Sequence, residues 1–152
     1  MPTYRKVHLA ALMLLEADTR FSQGRSDEDF LAAIVLSGAV LGIVSPLLKE
    51  HGGHSYHSIL AEISGILHPE KEGPVHEGVF RTVYNGLKHA GDNRRSLKPS
   101  EDLLIEAELR LEAARMLEAA THDFREVPLH EVDRESLPSA FLELLREHKD
   151  YT

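Results

Sequence analysis

The sequence predicts an all-α fold, an antiparallel up-and-down bundle of five to six helices, and three observations predict it. Apolar residues recur at helical spacing in long blocks, strand-like alternation is absent, and the blocks are separated by helix-ending and helix-starting signals. At 152 residues the chain has the size of one ordinary domain and can bury about two-thirds of the surface its unfolded form exposes. With 42% hydrophobic and 28% charged residues it has the composition of a folded protein and not of a disordered one. Residues 1–127 are expected to form the bundle. Residues 128–152 are expected to form a linker and a C-terminal helix that packs on the bundle or on a second subunit.

The first helix is expected over about Thr3 to Phe21, with Tyr4, Val7, Ala11, Leu14 and Leu15 as its core stripe and Leu12 and Met13 widening it. Gly24 is expected to close it in a left-handed conformation. Ser26 opens the second helix with Asp29 three residues on, in the manner of a capping box. Phe30, Leu31, Ile34, Val35, Leu41, Ile43, Val44, Leu47 and Leu48 make this the most apolar segment and the expected centre of the bundle. Gly38 and Gly42, four apart, each weaken a helix by about 1 kcal/mol relative to alanine, which makes sense where another backbone approaches closely. Pro46 is expected to kink the last turn.

A third helix, about Ser55 to Leu67, is expected to bury Ile59, Leu60, Ile63 and Leu67, with Pro69 and Pro74 bracketing the loop beyond it. The fourth is expected over about Val75 to Gly91. Ser100 then caps a fifth helix of some 25 residues to Phe124, with Leu104, Ala107, Leu111, Ala114 and Leu117 as one strip and a Glu106 to Arg110 pair outside. Val127 to Glu135 reads as irregular. Ser136 and Pro138 introduce a last helix whose apolar face is Leu137, Phe141, Leu142, Leu144 and Leu145, a possible surface for a protein partner.

Composition narrows the function. The chain contains no cysteine, hence neither a disulfide framework nor a thiolate nucleophile. It also has no uninterrupted apolar run approaching the roughly 18 residues that span a bilayer. The segment M-P-T-Y-R-K lacks the order of features of a signal peptide, so a cytoplasmic location without membrane association is the simplest expectation. A formal charge of -8 argues against the whole surface coating nucleic acid. His51, His54 and His57 stand three apart, and zinc or nickel would accept imidazole. No carboxylate or cysteine stands at a recognised ligand spacing, so these residues read as polar surface histidines, with no metal and no cofactor expected.

Chemistry concentrates between Val75 and Lys98. Wound as an α-helix, this stretch puts Val79, Phe80, Val83, Tyr84, Leu87 and Ala90 on one face and Arg81, Asn85, Lys88 and Asp92 on the other, with His89 at the edge. Lys88, Arg94, Arg95 and Lys98 form the main basic cluster of an acidic chain and are the candidate contacts for a nucleotide or RNA. The bland alternative is a solvated helix end favoured by the helix dipole.

The segment Asn85-Gly86-Leu87-Lys88-His89-Ala90-Gly91-Asp92 resembles the N-x-x-K-H-A segment of small bacterial helical proteins that are similar in turn to the HEPN superfamily of nucleotide-binding and ribonuclease domains. The resemblance extends loosely over Val7 to Phe124 and is sharp over eight residues. It implies a bundle of four or five helices that forms a homodimer. It also implies membership of a group in which many proteins act in toxin or phage-defence settings. Active members carry an arginine four to six residues before a histidine. Here Arg81 lies eight positions before His89 and Asn85 lies four before it, so the ribonuclease motif is not matched; carried over, the resemblance implies His89 as the counterpart of the motif histidine and Asn85 or Arg81 as that of the arginine.

Metal-independent cleavage of RNA at such a site needs proton transfer, for which His89 has the right intrinsic pKa, and a cation for the phosphorane, for which Arg81, Lys88 or Arg94 qualifies. Two functions of different classes therefore stand at this point. One is a ribonuclease or a nucleotide- or RNA-binding protein using the 81–98 segment. The other is a dimeric helical scaffold that binds protein.

Overall fold

Three long helices make the core: α1 (Lys6–Gln23), α2 (Asp27–Glu50) and α5 (Leu109–Glu126), with α2 packed against both others. The computed structural model describes residues 1–69, 75–91, 97–147 and 149–151. Among them are seven α-helices and no strand. The remaining helices are α3 (Tyr56–Leu67), α4 (Thr82–Lys88), α6 (Glu131–Glu135) and α7 (Ser139–Arg146), with short 3-10 turns at Glu77–Arg81 and Pro99–Glu101.

The three core helices approach closely because their contact faces are small. Ala10, Ala11 and Ala17 of α1, Ala33 of α2, and Ala113, Ala114, Ala119 and Ala120 of α5 are all buried, with Leu14, Ile34, Leu41, Val44, Met116 and Leu117 filling the space between. Alanine loses no side-chain entropy in a helix and lets ridges seat deeply in grooves. By length and composition α2 is also apolar enough to cross a membrane, and half of that stretch is buried inside this fold.

Several expectations change at the element ends. Gly24 has φ −62°, outside the left-handed region; it is needed instead because a Cβ there would lie 2.5 Å from the Arg20 carbonyl oxygen. Ser26 does not cap α2 with its side chain, but donates to the Asp29 carboxylate at 3.3 Å. Ser55 caps α3 by accepting from the Ser58 amide at 3.3 Å. Gly42 has open space around it, whereas at Gly38 a Cβ would overlap the Tyr84 ring, so only one of the two glycines serves a close approach.

The fourth and fifth helices are shorter than the periodicity suggests. Val75 to Gly91 is divided into a 3-10 turn and a two-turn α4, joined at Arg81 with φ −121° and ψ 20°. Gly78, Gly86 and the β-branched Val79, Thr82 and Val83 give this stretch weak helix propensity, so tertiary contacts decide its winding. The fifth helix starts at Leu109 rather than Ser100, because Asp102 is drawn away to accept from the Gly91 amide at 2.8 Å. Gly91 itself sits at φ +90°. Glu108 then caps α5 through the Leu111 amide at 2.7 Å. As a result Leu103, Leu104 and Ile105 are exposed, as is Leu111, and the expected strip survives at Ala114 and Leu117 alone. Arg110 lies over the Phe21 ring and not beside Glu106; the α5 pair that forms is Arg115 with Glu112. The α3 residues Ile63 and Leu67, expected in the core, are exposed.

The C-terminal segment packs on its own chain. Phe141 and Leu144 of α7 are buried, Phe141 lies 4.5 Å from the Phe124 ring, and Lys149 and the Tyr151 hydroxyl both bind the Asp18 carboxylate, at 2.7 and 3.1 Å. Residues 127–135, expected to be irregular, contain the short α6.

Candidate functional site

Arg81 does not share a solvated face with Asn85 and Lys88. Because it ends a 3-10 turn before α4 begins, its side chain is turned inward, donating from Nε to His57 Nδ1 at 2.8 Å and reaching Ser45 Oγ with Nη2 at 3.5 Å. Asn85, Lys88 and His89 are exposed, and Lys88 lies over the Tyr84 ring with its Nζ 4.6 Å from the centroid. No hydrogen bond or ion pair joins Arg81, Asn85 and His89 among the described residues. Lys98 is exposed, its amide donating to Glu101 at 2.9 Å, while Arg94, Arg95 and Asp92 lie outside the described residues.

The inward turn of Arg81 joins a polar network at the junction of α2, α3 and α5. Asp123 of α5 is fully buried and its carboxylate accepts from the Ser45 hydroxyl at 2.6 Å and from the Tyr56 amide at 2.6 Å, with His122 Nδ1 at 3.2 Å. Beside it, His57 is buried under the Phe80 ring, stacked at 5.9 Å with 9° between planes. Since Nδ1 accepts from Arg81, the neutral ring carries its proton on Nε2. Burial, reinforced by the Arg81 guanidinium, pushes His57 down to about 4, so imidazole and not imidazolium is the working form. Glu77 opposes burial, which acts to raise its pKa: Lys49 at 2.7 Å and the nearby Arg81 outweigh that effect and hold it below the usual carboxylate range.

This network ties α2, α3 and α5 together; at its centre Asp123 and His57 are buried and bonded to one another's neighbours, while Glu77 and His122 at its margins reach the surface. His57 therefore departs from the expectation of a surface histidine. His51 Nδ1 donates to the Leu47 carbonyl in the last turn of α2, 2.8 Å away, and His54 lies 3.6 Å from Glu62. Among the described residues no group of three or more histidine, aspartate or glutamate side chains is placed to hold a metal ion.

Two open depressions lie elsewhere. One, of about 400 Å³ and widely open, is lined by Ser58, Ala61, Glu62, Gly65, Val75, His76 and Glu77. The other, of about 180 Å³, is lined by residues of α3, α5 and the C-terminal tail. Neither contains Asn85, Lys88 or His89. No family model, curated protein or solved structure matches the chain.

Sequence reasoning passed over Asp123, Ser45 and His122. A signal existed for the first: Asp123 stands three residues after Ala120 on the apolar phase of α5, and a carboxylate in that phase must find donors or stay out of the core. Ser45 and His57 carried no such signal, since their partners come from other helices.

Proposed function

We propose that the chain is a non-catalytic, HEPN-like helical module that pairs with a second copy of itself. One observation carries this. On the flank formed by the end of α3, the Glu77–Arg81 turn, α4 and the extended 102–108 segment, large apolar side chains stand in solvent: Ile63, Ile66, Leu67, Val79, and above all Leu103 at 73% and Leu104 at 94% exposure. These pieces adjoin one another, for the turn packs on α3 and on α4, and a Cβ at Gly86 of α4 would lie 2.8 Å from Ile105. Large apolar side chains exposed on neighbouring elements in this way are the raw material of an interaction face.

A two-fold interface requires one chain to carry both halves of the contact. This chain carries the protruding Leu103 and Leu104 and, on α3, the open depression beside Ala61 and Gly65. Burying each leucine would contribute about 1.5–3 kcal/mol. The ribonuclease reading is less well supported, because Arg81, one of its three candidate cations, is committed to His57 and Ser45, and neither depression is lined by Lys88 or His89.

Sedimentation velocity on the full chain tests the proposal. The wild type is expected to be a dimer, and Leu103→Asp with Leu104→Asp is expected to weaken the dimer at least about a hundredfold without changing the far-ultraviolet circular dichroism. A monomeric wild type, or a dimer indifferent to the double change, would refute it. Cleavage of single-stranded RNA by the wild type that His89→Ala abolishes would restore the catalytic alternative.

A further inference from the structure

The smaller cleft, between the first turn of α3, the second half of α5 and the C-terminal tail, has a donor-rich lining with two features that internal packing leaves unexplained. Thr121 Oγ1 is buried, with the residue at 6% exposure, and has no hydrogen-bond partner. Beside it the Tyr151 phenol, held above its ordinary range by burial and by Asp18, donates to the Asp18 carboxylate at 3.1 Å, which leaves the Thr121 hydroxyl with its proton still to give. A buried hydroxyl left in that state in a folded protein calls for an explanation, and one explanation is an acceptor that arrives from outside.

The second feature is Arg125. Its Nε and Nη2 bind the Leu145 carbonyl at 3.1 and 2.9 Å, and no carboxylate pairs with it among the described residues. Lys149, across the same cleft, is neutralised by Asp18 at 2.7 Å and Glu147 at 3.7 Å. Among the described residues Arg125 is therefore a guanidinium with no carboxylate bonded to it on the wall of a cavity, and guanidinium is the side chain best matched to planar or tetrahedral oxyanions.

His122 completes the lining. Its Nδ1 lies 3.2 Å from the buried Asp123 carboxylate, which fixes the ring and leaves Nε2 for the cleft. Glu118, the carboxylate in the lining, is adjacent to the Tyr56 phenol, which burial and that carboxylate push up to about 12 and so keep protonated as a donor. We infer that this cleft binds a small oxyanion, with Arg125, Thr121 and His122 as its contacts. A volume of about 180 Å³ admits a phosphate or carboxylate group but falls short of the size of drug-like ligand pockets. The site is separate from the self-pairing flank, so either proposal can fail alone.

Two-dimensional ¹H–¹⁵N NMR of the full chain decides it, by titration with sodium phosphate, sodium acetate and sodium chloride at matched ionic strength. Expected are saturable shifts at Tyr56, Thr121, His122 and Arg125 with phosphate or acetate and not with chloride. Tighter binding of phosphate would identify a phosphoryl ligand, and tighter binding of acetate a carboxylate. Thr121→Val, which keeps the shape and removes the hydroxyl, and Arg125→Gln, on an exposed residue, should each weaken binding tenfold or more. Shifts that are absent, linear, equally produced by chloride, or unchanged in both variants would overturn the inference.

Discussion

Acidification should destabilise this protein through one buried imidazole, and the size of the effect follows from its surroundings. His57 titrates near 6.5 when unfolded and at about 4 in the fold, held down by burial and by Arg81, with Lys49 acting in the same sense and Asp123 and Glu77 opposing. Below pH 6.5 the unfolded chain binds this proton and the folded chain does not. Stability from His57 is therefore complete above pH 6.5 and is lost as pH falls toward 4. A difference of roughly 2.5 units corresponds to about 3 kcal/mol in total, of which about 2 kcal/mol is gone by pH 5.

Other histidines and carboxylates titrate over the same range, so the contribution is isolated by difference. His57→Gln retains an acceptor for Arg81 Nε but cannot take up a proton. Urea unfolding of both proteins at pH 7 and pH 5 should show the wild type losing about 2 kcal/mol more than the variant. Equal losses, or an NMR titration of His57 centred near its ordinary value, would show that the ring is not held neutral by burial and Arg81.

Two further predictions concern the core. Gly38→Ala places a methyl group on the Tyr84 ring and should destabilise by about 1–3 kcal/mol, while Gly42→Ala enters open space and should stabilise by up to about 1 kcal/mol; thermal melts of the two variants should differ by roughly 2–16 °C, and equal midpoints would contradict the packing described. Asp123→Ala strands the Tyr56 amide and the Ser45 hydroxyl in the interior and should cost about 3 kcal/mol or more. Asp123→Asn, which keeps one acceptor, should cost less; denaturant midpoints that rank the two the other way would rule out this account of the network.

Much of the architecture can be read from residue order. The helical period of α1, α2 and α5, the polar start at Asp27 to Asp29 and the serine cap of α3 are local features, settled by side chains within a turn or two of one another. Where propensity was weak or a distant partner intervened, periodicity misled. A continuous α-helix would put Arg81 on the face of Asn85 and Lys88, but the stretch is rich in glycine and β-branched residues and does not sustain one. Its 3-10 turn rotates the side chain into the core, where His57 supplies an acceptor that residue order does not place nearby.

What the sequence determined by itself is an all-helical chain with one dominant apolar helix, because hydrophobic period and capping are set within a few residues. What the tertiary structure alone decided is which polar groups meet: Asp123 with Ser45 and the Tyr56 amide, Arg81 with His57, Asp102 with Gly91. It also decided that Leu103 and Leu104 stand in solvent while Phe141 does not. The physical reason is that a buried donor or acceptor must be satisfied by whatever the packing of separate helices brings within hydrogen-bonding distance, and that requirement overrides local preference when the two conflict.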